Sequence, residues 1–346
     1  MRVAHVRERH APAGSPFRLA AALPDGRWLD LETARRRALR DDPPRGHNEP
    51  VFRTPVTTLD AHLASGRRVD ALRLLVEPFE ADPGRLTSEG SARAGDAMDD
   101  LTLDRRDVQT GPPILRPTSL RDFYAFERHV STMWARRHQE VPDAWYRLPI
   151  FYFGNVSEVR GPDESVWAPR GSTELDYELE IAALVDTPAR DLDAQRAEEI
   201  IGGYTIFNDW SARDLQREET VVRLGPAKGK DFAVSIGPCL VTPDELTDAR
   251  SGKGFDLVAT ATVNGQELSK GTWADIHFSF GEMLARASAD ARLMAGDLVG
   301  SGTIGSGCLL EIKDDLFGRW LEPGDEVTLS IDRLGALSNP VVARPT

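Results

Sequence analysis

Only two cysteines occur in the 346 residues, Cys239 and Cys308, which excludes a disulfide scaffold and a multi-cysteine zinc module. Lysine is almost as scarce: five of the 42 basic residues are lysine, at 228, 230, 253, 270 and 313. No run of 18 apolar residues occurs, so no transmembrane helix is expected. The opening MRVAHVRERH lacks the apolar stretch of a secretory signal. Positive charge is in deficit, with 55 acidic against 42 basic side chains and a formal charge of −13. A nucleic acid or an anionic membrane would be repelled by that surface. The expectation is an acidic, cytoplasmic protein whose partner is a small molecule.

Hydrophobic residues make up 40% of the chain, enough for a sizeable core in one large domain or two ordinary ones. The alternating runs around Phe17 and Trp28, joined by Asp25-Gly26, predict a hairpin, and Glu32 to Arg40 is a charged stretch. Leu59, Leu63, Val69, Leu72 and Leu75 are spaced for one helical face within 56–80. From 81 to 113 the chain is polar and acidic (Asp96, Asp99, Asp100, Asp104) and ends in Gly-Pro-Pro, which reads as a connector. A small N-terminal domain over 1–113 and a second domain over 114–346 follow. In the second, short β-type runs dominate: 149–153, 177–185, 203–207, 231–235, 255–263, 309–312 and 326–331. Helices are expected over 119–138, 191–201 and 280–291. This pattern predicts an α+β, β-rich fold of packed or rolled sheets rather than a doubly wound one.

Gly300-Ser-Gly-Thr-Ile-Gly305, with Asp325 beyond it, matches a dinucleotide-binding fingerprint. The residues after Gly305 read as a strand, however, and the fingerprint requires a helix there to receive a pyrophosphate. The glycines fit better as a loop whose backbone closely approaches a small ligand.

The acids are more informative. On a strand, Glu178 and Glu180 share one face, with Tyr177, Leu179 and Ile181 on the other. Alone, that pattern describes a strand with one solvated face. Asp209 ends the apolar run from Tyr204, and Asp122 lies near the start of an expected helix, where it would also favour the helix dipole. Carboxylates gathered in apolar surroundings repel unless a divalent cation neutralises them. An all-oxygen set suits Mg²⁺, Mn²⁺ or Ca²⁺ rather than zinc. His129 follows Asp122 by two helical turns, which would place both on one face. A lone histidine is commonly structural; it becomes a general base when a carboxylate orients it. Glu311, an acid in an apolar run, is available for that. Lys230 stands out in Gly225-Pro-Ala-Lys-Gly-Lys230-Asp-Phe against a nearly lysine-free background.

Taken in order, these residues resemble the fumarylacetoacetate hydrolase family from about 118 to 313. The matching segments are Asp122-Phe-Tyr124 with His129; Leu148-Pro-Ile-Phe-Tyr152-Phe-Gly; Leu175-Asp-Tyr-Glu178-Leu-Glu180; and Asn208-Asp209-Trp-Ser-Ala-Arg213-Asp-Leu-Gln216. Gly229-Lys230-Asp-Phe and Ser301-Gly-Thr303-Ile-Gly complete the series. The resemblance implies a small N-terminal domain, a C-terminal mixed β-roll and a homodimer. It implies one divalent cation (Mg²⁺, or Mn²⁺ or Ca²⁺) held by Asp122, Glu178, Glu180 and Asp209. His129 would be the base and Glu311 its orienting partner. Lys230 and Gln216 would steady an oxyanion, while Tyr124, Tyr152 and Thr303 would contact the substrate.

What the resemblance implies chemically is hydrolysis of a carbon–carbon bond in a β-diketo acid of the fumarylacetoacetate or acylpyruvate type, in a bacterial pathway of aromatic-compound breakdown. Keto-acid decarboxylases, isomerases and hydratases share the superfamily and form the alternative, and a non-catalytic keto-acid-binding protein is a further one. Two departures fall where the distal end of a substrate would sit. Either Arg136 or Arg137 stands for the family's active-site arginine, and Phe153 replaces a common histidine.

Overall fold

Every residue of the strand Leu179–Val185 is buried, so the glutamate-bearing run has no solvated face. Its alternation instead feeds two apolar cores. Ile181, Ala183 and Val185 pack with Tyr204, Ile206 and Val241 and with Ala259, Val327 and Leu329 of a second sheet. Ala182 and Leu184 point the other way, onto Phe207, Leu240 and Leu298 and the N-terminal helices that carry Leu59, Leu72 and Leu75. The computed structural model describes residues 1–12, 14–41, 50–86 and 101–345.

Among the described residues the main sheet has twelve strands. Its path runs Thr102–Leu103, Trp28–Asp30, Arg18–Ala22, Arg2–Glu8, Val234–Val241, Ile201–Asn208, Leu179–Val185, Leu298–Gly300, Leu120–Phe123 and Phe151–Gly154. Val108–Thr110 pairs with Arg2–Glu8, and Val159–Arg160 with Val234–Val241. The pairing is antiparallel except between Leu298–Gly300 and Leu120–Phe123 and between Val159–Arg160 and Val234–Val241. A four-stranded antiparallel sheet (Gln266–Thr272, Val258–Val263, Glu326–Ile331, Gly335–Pro340) shares the first core. The architecture is mixed α+β and sheet-rich, as the sequence implies. No helix among the described residues is long and apolar enough to cross a membrane.

The N-terminal hairpin turns at Gly26 in the left-handed region (φ 87°). Arg2–Glu8 pairs with Val234–Val241, so the sheet runs unbroken across the 113/114 boundary. The polar stretch before that boundary is more than a connector, since Thr102–Leu103 and Val108–Thr110 are sheet strands. Asp104 pairs with Arg106, and Asp96, Asp99 and Asp100 lie outside the described residues. The charged run near Glu32 is a helix, Leu31–Asp41. The 56–80 periodicity resolves into Leu59–Ala64, Val69–Leu72 and Arg73–Ala81, interrupted at Gly66 (φ 79°).

Four expectations in the second domain are corrected. The helix over 119–138 is a strand, Leu120–Phe123, followed by a helix, Glu127–Ala135, because the parallel pairing with Leu298–Gly300 outcompetes local helical spacing. The helices over 191–201 and 280–291 shorten to Ala194–Glu198 and Phe280–Ser288, the latter opened by a Ser279/Glu282 capping box. The strand over 309–312 is a helix, Leu309–Leu316. Asp176 explains that change: its carboxylate accepts the amides of Leu309 (2.7 Å) and Leu310 (3.0 Å), filling the helix N-terminus. A helix therefore does open beyond the glycine-rich run, but Asp176 already occupies donors a pyrophosphate would need.

Candidate active site

Asp122 and Glu180 come from strands on either side of Leu298–Gly300, with Gly300 opposite Asp122 on one edge and opposite Ala182 on the other. A Cβ at residue 300 would collide with Oδ1 of Asp122 and lie 2.8 Å from the Phe207 ring, so only glycine leaves room for the carboxylate. Gly302 follows in the left-handed region (φ 78°). Its amide faces both acids, donating to Glu180 Oε2 (2.9 Å) and Asp122 Oδ1 (3.2 Å). Asp209, at the end of Ile201–Asn208, completes a buried group in which Asp122, Glu180 and Asp209 each offer an oxygen within 4.8 Å of the others.

Burial, and then the charges of neighbouring carboxylates, push Asp122 and Glu180 well above the usual carboxylate range. Burial also raises Asp209, against the pull of Lys230. Glu178 moves the opposite way. Burial opposes its ionisation, but Lys230 and Arg213 outweigh burial and hold it low. Arg213 Nη2 donates to one carboxylate oxygen at 2.7 Å and Lys230 Nζ to the other at 2.6 Å. Lys230 also donates to Asp209, whose Oδ2 accepts the Tyr152 hydroxyl at 2.6 Å. The other oxygen, Asp209 Oδ1, is buried without a hydrogen-bond partner among the described residues. An orphaned carboxylate oxygen in an all-oxygen cluster fits a hard divalent cation. Glu178, expected as a fourth ligand, stands beside the cluster and is held by Lys230 and Arg213.

His129 is buried on Glu127–Ala135. Its Nδ1 lies 3.2 Å from Glu311 Oε1, out of line for a hydrogen bond and without another partner. Tyr124 stands edge-on to the imidazole, with ring centroids 5.3 Å apart. The sequence suggested that Asp122 and His129 share a helical face; they do not, because Asp122 lies on the strand Leu120–Phe123 and residues 124–126 separate that strand from the helix. Glu311 likewise approaches from the first turn of a helix, not from a strand.

These groups face a cavity of about 580 Å³. Asp122, Glu178, Glu180, His129, Lys230 and Gln216 line it, as do Tyr124, Tyr152, Thr303 and Arg136, whereas Asp209 and Glu311 stand behind the wall. Arg136 and Arg137 both line it but differ in commitment. Arg136 donates to the Glu311 carbonyl (2.9 Å) and lies 3.9 Å from Asp314. Arg137 stacks its guanidinium 5.9 Å from the Trp134 ring centroid and has no ion pair among the described residues. Phe153 is 67% exposed beneath the Arg121 guanidinium and does not line the cavity, so its expected place at the substrate's distal end is corrected.

Sequence reasoning gave no role to Arg213 or Asp176. Arg213 is buried, bridges Asp176 and Glu178, and donates to Gln216 Oε1 at 3.0 Å. The available signal was an arginine within the apolar segment that follows Asp209.

The model of the fumarylacetoacetate hydrolase C-terminal region matches residues 118–342, well over half of the chain. The chain belongs to the fumarylacetoacetate hydrolase family. It is 27% identical to fumarylacetoacetase of Oryza sativa subsp. japonica, covering 94% of this chain and 87% of that relative. Identity to fumarylacetoacetase of Arabidopsis thaliana is 28%, over 60% of this chain and 63% of the relative. Identity to an oxaloacetate tautomerase of Xenopus laevis is 31%, over 56% and 58%. The chain thus spans less than two thirds of the Arabidopsis and Xenopus proteins. The fumarylacetoacetate hydrolase of Exiguobacterium antarcticum superposes over 99% of this chain and 100% of that one, with TM-score 0.67 and 22% identity, which shows a common fold.

Proposed function

We propose that this family member is a divalent-metal-dependent hydrolase that cleaves a carbon–carbon bond in a β-diketo acid of the acylpyruvate or fumarylacetoacetate class. One observation carries the reading: Asp122, Glu180 and His129 line one cavity, the two acids backed by Asp209 with its orphaned oxygen and the histidine by Glu311. Asp122, Glu180 and Asp209 would hold Mg²⁺, Mn²⁺ or Ca²⁺, with Glu178 beside them. When bound, the ion supplies a Lewis acid toward the dicarbonyl oxygens.

The chain's own groups supply the proton chemistry. His129 takes a proton from water, the Glu311 carboxylate 3.2 Å from Nδ1 stabilising the imidazolium by its charge and accepting from Nδ1 once the ring swings into line, and the resulting hydroxide adds to the acyl carbonyl. Lys230 stays an ammonium, because Asp209 and Glu178 more than offset its burial, and it donates to the developing alkoxide. Arg213 fixes the carbonyl end of Gln216, which leaves the Gln216 amide as a second donor. The carbon–carbon bond then breaks, and the leaving carbon takes back the proton held on His129. Substrate plus one water gives two acids.

Arg137 is the cation available for a substrate carboxylate, and Met133, Trp134, Ile150 and Leu310 give the cavity an apolar wall for the acyl group. Tyr124 and Thr303 contact the substrate's oxygens, and Tyr152 orients Asp209. A panel of acylpyruvates incubated with Mg²⁺ or Mn²⁺, with EDTA controls, tests the reading by mass spectrometry. Two acids whose masses sum to substrate plus water support it. Loss of carbon dioxide moves the assignment to a decarboxylase, and a rearranged product of unchanged mass to an isomerase.

A further inference from the structure

At the proposed base itself, three unlike donor atoms converge. His129, Cys308 and Glu311 each offer a ligand atom within 4.8 Å of the others. Nδ1 of His129 is 3.2 Å from Glu311 Oε1, and the Cys308 thiol donates to Glu311 Oε2 at 3.8 Å. A tetrahedral zinc ion with Zn–N and Zn–O near 2.0 Å and Zn–S near 2.3 Å requires ligand–ligand separations of about 3.3–3.6 Å. The two separations bracket that range, and all three donors lie within 4.8 Å of one another, so a modest contraction would bring them onto one ion.

A second observation is independent of the spacing. His129 is 4% exposed, and its Nδ1, on the Glu311 side of the ring, has no hydrogen-bond partner in line. A buried imidazole nitrogen 3.2 Å from a carboxylate without bonding to it is a vacant ligand. The donor types also differ from those of the carboxylate cluster. Thiol, imidazole and carboxylate suit zinc or another soft divalent ion, whereas Mg²⁺ prefers oxygen alone. His129 and Leu310 line the main cavity, which gives such an ion a path to the site.

We propose that His129, Cys308 and Glu311 form an inhibitory site for a soft divalent metal ion, separate from the proposed catalytic cation. Binding replaces the thiol proton with the metal and occupies Nδ1 of His129. The one remaining ring proton must then reside on Nε2, which becomes a donor and ceases to accept a proton from water. Glu311 is drawn away from its orienting role in the same event. The inhibition rests on the hydrolase reading; the binding does not.

The test reads binding without turnover. Full-length protein saturated with Mg²⁺ is titrated with Cd²⁺, following the ultraviolet cadmium–thiolate charge-transfer band. Wild type is expected to develop the band at one equivalent, and so is Cys239→Ser, which removes the other buried thiol. Cys308→Ser should lose the band and bind Cd²⁺ roughly 10–100-fold more weakly. Asp209→Asn should retain it, because that acid belongs to the carboxylate cluster. No band in wild type, or a band lost in Cys239→Ser and kept in Cys308→Ser, would overturn the proposal. If the band behaves as expected but no acylpyruvate is turned over, the hydrolase reading fails and the soft-metal site stands.

Discussion

Gly300 faces Asp122 across a parallel strand pair, and the space a side chain at 300 would take is the space the Asp122 carboxylate fills. The cluster is therefore set by backbone register as much as by the acids themselves. Gly300→Ala should displace Asp122 and cost about 1–3 kcal/mol of stability through overpacking. It should also weaken Mg²⁺ binding roughly tenfold or more. Thermal unfolding with and without Mg²⁺ reads both effects; a variant that binds Mg²⁺ like wild type would show that the close approach is unimportant.

Arg213 is buried between Asp176 and Glu178. Arg213→Met removes the only cation paired with buried Asp176 among the described residues, the cap of the Leu309–Leu316 helix, and leaves Glu178 with Lys230 alone. A loss of about 3–5 kcal/mol is expected, measured by denaturant unfolding. A loss below about 1 kcal/mol would mean that solvent reaches the pair.

The two arginines of the cavity wall should separate kinetically. Arg137→Gln should raise KM by roughly 10–100-fold, the cost of one charged hydrogen bond, with a smaller change in kcat. Arg136→Gln should act mainly on kcat, since Arg136 steadies the Glu311 backbone rather than the substrate. The reverse pattern would exchange their roles.

His62 makes the fold acid-sensitive independently of the site. Its Nε2 bonds the Arg68 carbonyl at 2.7 Å, and burial lowers its pKa from 6.5 to about 4. The unfolded chain takes up the proton first, so stability holds above about pH 6.5 and falls between 6.5 and 4, by up to about 1.4 kcal/mol per pH unit. His62→Gln keeps a donor for the carbonyl but cannot titrate, so its stability curve should be flatter over that window. Parallel curves for the two proteins would remove His62 as the cause.

Much of the site was legible because its residue types sit in the wrong company: Glu178, Glu180 and Asp209 are acids within apolar runs. Each such run had to be a strand, and acids on buried strands must meet a counter-charge. The route of the chain through Asp122 and Glu311 was less legible. Leu120–Phe123 carries helical spacing yet pairs with a strand nearly two hundred residues away, a contact no local pattern encodes. Residues 309–312 read as a strand because the helix that holds them, Leu309–Leu316, depends on a cap, Asp176, that is remote in sequence. The same remoteness hid Cys308 as a neighbour of His129.

The central claim is hydrolytic cleavage by water activated at His129. Turnover of an accepted acylpyruvate in water labelled with heavy oxygen, with Mg²⁺ present, tests it most directly. One labelled oxygen should appear in the carboxylate of the acid released from the acyl side, and His129→Gln should abolish both the acid and the label. An acyl-side product that carries no solvent oxygen would contradict the account.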